Sequence, residues 1–174
     1  FYRPDRWSDA QILEEHAFAQ ELMRDDVPMV GPLSLQAQTL HHAHGFAFSV
    51  SPRRGGRRPE LDDFDVLAWM GRFIARIHNV GERTAFVARP ALNVQTFGAE
   101  PRDGLWASDV ITPAWRDAWR QACDAAIEQV QACFMRCPHA VLRLHGDCHP
   151  GNVLWTPIDL PQGGPHFVDL DDAR

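Results

Sequence analysis

The sequence predicts an α/β (α+β) chain of two parts: a helix with a hairpin, then a mostly helical stretch ending in short strands. Three observations carry this. A helical repeat opens behind a capping signature at Ser8. A Gly/Arg/Pro stretch, Pro52 to Pro59, breaks the chain. From Val141 onward, helical periodicity gives way to short apolar runs around a glycine-bearing polar loop.

The elements follow in order. Ser8 with Gln11 three residues on matches a capping box, and Ile12, Ala19, Leu22 and Met23 recur at helical spacing. A helix is expected over 8–24, ended by Val27-Pro28. Leu33 to His42 and Phe46 to Val50, separated by His44-Gly45, read as a β-hairpin. Pro52 to Pro59 is the candidate boundary, dividing residues 1–52 from 53–174. Leu61 to Asn79 reads as a helix with Phe64, Leu67, Ala68, Gly71, Ile74 and Ile77 on one face. Val80 to Gly104 reads as loop. Thr112-Pro113 starts a helix, with Pro at its first position, that runs to about Cys133. Val141 to Leu144, Val153 to Trp155 and His166 to Asp169 read as short strands.

Bulk properties exclude some classes. The chain has 174 residues, 45% of them hydrophobic, and a net charge of −6. That balance argues against nucleic acid as a partner. Arg53-Arg54-Gly55-Gly56-Arg57-Arg58 is a local basic exception that reads as a solvated loop. No apolar run approaches the roughly 18 residues that span a bilayer, and no signal peptide is visible, so a cytoplasmic, non-membrane protein is expected. Cys123, Cys133, Cys137 and Cys148 lack disulfide-scaffold spacing and fit reduced thiols. The start at Phe1 and the stop at Arg174 after an acidic cluster read as an internal piece of a longer protein.

The chemistry concentrates near the end. Asp147 and Asn152 stand five residues apart between two apolar runs, and Asp169 follows a third. Strands of this kind bring their ends together, so three oxygen-bearing side chains would converge. Hard oxygen donors suit Mg²⁺, which takes few protein oxygens plus substrate phosphates. Phosphoryl transfer needs that ion and a carboxylate to orient the attacking hydroxyl.

The loop His145-Gly146-Asp147-Cys148-His149-Pro150-Gly151-Asn152 resembles the protein-kinase catalytic loop. His145, Asp147, Pro150 and Asn152 keep its spacing. His149 stands for the usual lysine, and Asp169-Leu170-Asp171 for Asp-Phe-Gly. Those departures resemble the aminoglycoside phosphotransferase and choline kinase-like family. Phe1 to Trp7, Gln11 to His16, Gly55-Gly56-Arg57, Leu142 to Asn152 and Phe167 to Arg174 extend the likeness to bacterial serine/threonine protein kinases of that family.

The resemblance implies a protein-kinase-like two-lobed fold, with a partial N-lobe over 1–52 and a partial C-lobe over 53–174. It implies ATP and Mg²⁺, with transfer of the γ-phosphoryl group to a serine or threonine hydroxyl in a stress response. Asp147 would be the catalytic base, Asn152 and Asp169 the metal ligands, and His145 and Asp171 supporting residues. Ser49, Val50 and Ser51 would form the hinge that meets adenine. The family pairs a helix glutamate with an ATP-binding lysine. Glu15, on the inward stripe three residues after Ile12, is the expected glutamate. All 17 basic residues are arginine, so the lysine and the glycine-rich phosphate loop are expected upstream, and this piece alone is expected to be inactive.

Other readings remain at this level. A small-molecule kinase acting on an aminoglycoside, choline or homoserine would share fold and chemistry. Gly146-Asp147-Cys148-His149 superficially resembles a metallophosphatase element, but its upstream and downstream partners are missing. An inactive pseudokinase-like module is opposed by the intact Asp147, Asn152 and Asp169. The cysteines near His149 suit zinc poorly, and His41, His42 and His44 read as strand-turn surface.

Overall fold

The computed structural model describes residues 1–174. Two compact units form: residues 1–89 with 142–174, and residues 90–141. The expected boundary at 52–59 lies inside the first unit.

In that unit, helix α1 (Asp9–Arg24) starts where the sequence places it. The Ser8 hydroxyl accepts from the Gln11 amide, and the Gln11 side chain accepts from the Ser8 amide at 2.8 Å. Strands β1 (His41–Ala43) and β2 (Phe46–Phe48) form an antiparallel hairpin, with His41 opposite Phe48. The expected first strand from Leu33 is shorter. Leu35 and Gln38 instead exchange two backbone bonds around a tight turn, with Gln36 and Ala37 both at positive φ. Two left-handed residues in a row suit a two-residue turn.

Helix α2 spans Phe64–Gly81 rather than starting at Leu61, because the Asp63 side chain caps the Asp65 and Val66 amides. Its inward face is also phased differently from expectation. Val66, Met70, Ile77 and Val80 are buried, whereas Phe64 is 85% exposed. Strands β3 (Val153–Thr156) and β4 (Gly164–Phe167) pair antiparallel, Val153 opposite Phe167. Val141 to Leu144 is not a strand. Leu144 instead exchanges backbone bonds with Arg174, and the Arg143 amide donates to Gly81.

The core joins α1, α2 and the β3–β4 hairpin through Phe18, Leu22, Val66, Ile77, Val153 and Phe167. Each large apolar side chain there contributes roughly 1.5–3 kcal/mol by leaving water. The core thereby fixes the hairpin whose ends carry the polar loop.

The second unit contains a π-helical turn (Gln95–Ala99) running into helix α3 (Glu100–Ala107). These occupy a stretch expected to be loop; Pro101 and Gly104 obscure its helical signal. A 3₁₀ turn (Pro113–Trp115) then leads into helix α4 (Arg116–Arg136). Arg102 donates to Asp124 at 2.7 Å, tying α3 to α4.

Candidate functional site

The register of β3 and β4 builds the site. In an antiparallel pair, the start of one strand lies beside the end of the other. Asn152, just before β3, therefore meets Val168, just after β4. The Val168 amide donates to the Asn152 carbonyl at 3.0 Å. This puts Asn152 and the residue after Val168, Asp169, at one end of the hairpin.

The loop before β3 is tied internally. The Asn152 side-chain amide donates to the Asp147 carbonyl at 3.0 Å and to its carboxylate at 3.3 Å. His149 accepts from the Gly151 amide at 2.9 Å, and its other ring nitrogen lies 3.5 Å from the Asp147 carboxylate. Asp147 itself is exposed, so a carboxylate is held in place yet open to a reactant.

His145 supports this loop from beneath. It is buried, and its Nε2 donates to the Val168 carbonyl at 3.0 Å. Burial lowers its pKa, against the upward pull of that hydrogen bond and of Asp169 and Asp147. A neutral ring follows, with the proton on Nε2. Gly146 is required here. Its φ is +85°, and a Cβ would sit 1.8 Å from the Asp172 carbonyl oxygen.

Asp169 adopts a left-handed φ of 64°, a conformation Asp tolerates better than most residues. Asp169 and Asp171 line a cavity of 380 Å³ together with Glu15, Ser49 and Ser51. Val50 does not line it; its carbonyl accepts from the Leu33 amide at 2.7 Å. Asp147, Asn152 and His145 also stand outside the cavity's lining. The structure therefore gathers the expected residues in two sets. Asp147 and Asn152 form one, Glu15, Ser49, Ser51, Asp169 and Asp171 the other, and the β4 end connects them.

Glu15 is buried, and its Oε2 has no hydrogen-bond partner. Burial pushes its pKa up to about 7; Arg89 opposes this, and Asp171 and Asp169 add to it. Glu14 faces a different way, as its helix position requires. Its carboxylate accepts from the Val87, Ala88 and Arg89 amides at 2.7, 2.8 and 2.9 Å.

Three residues here have no counterpart in the sequence reading. Arg89, with a fully buried side chain, lies 3.5 Å from Glu15, donates to the Asp171 carbonyl and stacks on Trp7 at 4.4 Å. Arg6 pairs with Asp171 at 2.9 Å and Asp172 at 3.0 Å. Tyr2 bonds to His16 at 2.7 Å and Ser49 at 3.2 Å. Arg89 sits in a stretch with no periodicity, so nothing local marks it.

The donor chemistry fits a divalent cation shared with phosphate oxygens. Asn152 and Asp169 offer hard oxygens at one end of the hairpin. No group of three or more His, Cys, Asp or Glu side chains forms a closed metal cage. An ion that keeps water and takes substrate phosphates needs no such cage.

The model of the phosphotransferase enzyme family (APH) matches residues 1–174. Stress response kinase A of Escherichia coli (strain K12) is 43% identical over 174 residues, 100% of this chain and 51% of that protein. Serine/threonine protein kinase RdoA of Salmonella typhimurium (strain LT2) is 42% identical over the same 174 residues, 51% of its length. The chain thus spans about half the length of the curated relatives it matches. Amicoumacin kinase hAmiN, solved with AMP-PNP, Ca²⁺ and Ami, aligns with a TM-score of 0.68 at 16% identity. The alignment covers 97% of this chain and 50% of that one. The fold is kinase-like. No helix is long and apolar enough to cross a membrane.

Proposed function

This chain belongs to the phosphotransferase enzyme family, and from that premise we propose that it is part of an ATP-dependent serine/threonine protein kinase acting in a stress response. The observation that carries the reading is the β3–β4 register, which sets Asn152 beside Val168, the residue before Asp169, while Asn152 holds Asp147.

In this reading Asp147 orients the acceptor hydroxyl and takes its proton as the γ-phosphoryl group of ATP is transferred. Asn152 and Asp169 would hold Mg²⁺, which when bound would neutralise charge on the phosphates. His145 fixes the height of the loop through Val168. Asp171 holds the turn through Arg6. Glu15 faces the nucleotide side of the cavity, and Ser49 and Ser51 line the wall assigned to adenine. Val50 would contribute only through its backbone. The rate gain comes from positioning and charge stabilisation. Residues 1–52 would belong to an N-lobe and 53–174 to a C-lobe, in a protein working in the cytoplasm where ATP is supplied.

A small-molecule kinase is the second reading, favoured by the fold likeness to amicoumacin kinase. Phosphorylation assays on the full-length protein separate the two. Labelled phosphate should pass from ATP to a casein-like protein and not to a panel of aminoglycosides and amino alcohols. Transfer confined to the small molecules would overturn the protein-kinase reading.

A further inference from the structure

A second cavity, of 660 Å³, has none of the expected site residues in its lining. Its walls carry Arg53, Arg54, Arg57 and His166, and no carboxylate. In a chain of net charge −6, three arginines around a concave surface without an acid form a local reversal of field.

The arginine stretch is exposed, as its composition suggests, but it is also tethered. Arg57 exchanges two backbone bonds with Trp155, at 2.9 and 2.7 Å, and so extends the β3 edge. Gly56 allows this contact. Its φ is +149°, and a Cβ there would lie 2.8 Å from the Leu154 backbone. The wall bearing the arginines is therefore fixed against the hairpin. Across the opening, Arg54 donates to the Gln162 side chain, which holds the loop joining β3 to β4.

Charge within the cavity is only partly answered. Arg57 pairs with Glu60 at 3.2 Å, and Arg54 has only the neutral Gln162. The His166 Nδ1 is buried without a partner. Planar guanidinium groups match tetrahedral oxyanions through paired N–H donors.

We propose that this cavity binds an oxyanion of the phosphate class, with Arg53 and Arg54 as the principal donors. Arg57 supplies the third positive group, and His166 lies at the wall behind them. The proposal does not depend on the catalytic reading.

Isothermal titration of the full-length protein at constant ionic strength tests it. One arm uses inorganic phosphate and the other O-phospho-L-serine. Saturable binding in either arm, weakened roughly tenfold or more in Arg53→Gln/Arg54→Gln and unchanged in Arg136→Gln, supports the site. Both replaced side chains are exposed, so the fold should persist, and a matching thermal melt checks it. Tighter binding of phosphoserine assigns the site to phosphorylated side chains; equal or tighter binding of inorganic phosphate assigns it to free phosphate. No saturable heat in either arm, or equal heat in the double variant, would overturn the proposal.

Discussion

The Arg89 guanidinium lies 3.5 Å from the Glu15 carboxylate, and the arginine side chain is fully buried. Helix α1 supplies both anchors of this pairing. Glu14 holds the Arg89 backbone through its amide, and Glu15 faces the side chain. Neighbouring residues on one helix thus grip the same arginine from different directions.

Breaking that pair should be costly. Arg89→Leu leaves Glu15 as an uncompensated buried carboxylate, and removing one partner of a buried pair costs roughly 3–5 kcal/mol. Arg89→Leu/Glu15→Gln should regain part of the loss. Urea unfolding of the four proteins in this cycle measures the coupling. Additive losses would show that the two groups do not interact.

Glu15 should also make stability depend on pH. Its pKa is raised from an ordinary 4.5 to about 7 in the fold. A carboxylate shifted upward adds stability below its unfolded pKa and loses it as pH rises through the folded one. Glu15→Gln removes that loss, so its Tm relative to the parent should climb between pH 4.5 and pH 7. A difference independent of pH would mean Glu15 stays ionised throughout.

Asp147→Asn in the full-length protein should lower kcat by about 10²–10⁴-fold, the usual contribution of a positioned base. Nucleotide affinity should stay unchanged, because Asp147 lies outside the cavity lined by Ser49 and Asp169. Steady-state rates and nucleotide titration read the two effects separately. Near-parental turnover would remove Asp147 from its role.

Gly146→Ala should be poorly tolerated. The left-handed φ costs about 1–3 kcal/mol for a residue with a Cβ, and the added carbon would meet the Asp172 carbonyl oxygen at 1.8 Å. The expected outcome is a lower midpoint in denaturant with activity lost even where the fold survives. Gly104→Ala, where nothing lies within 4 Å, should be neutral or mildly stabilising.

Local chemistry was the legible part of the sequence. The Ser8–Gln11 cap and the Asp147–Asn152 spacing are short-range patterns, and both correspond to hydrogen bonds in the fold. The inward face of α2 was harder to phase. Phe64, in its first turn, is exposed, and Val66 and Met70 define the buried stripe instead. Arg89 was illegible for a different reason. Its partners Trp7, Glu15 and Asp171 lie far away in sequence, so only tertiary structure gives the residue a role. The exposure of the arginine stretch was legible in its composition, but its attachment to β3 was not, because that uses backbone atoms that every residue shares.

Val168 carries that last point furthest. Its amide donates to Asn152 and its carbonyl accepts from His145, so the backbone of one residue spaces the two halves of the loop. No property of the valine side chain enters either bond. The position should accept many residues and refuse proline, which lacks the amide. A catalogue of essential side chains would pass over it, although the backbone of that one residue ties the loop carrying Asp147 to the strand end before Asp169.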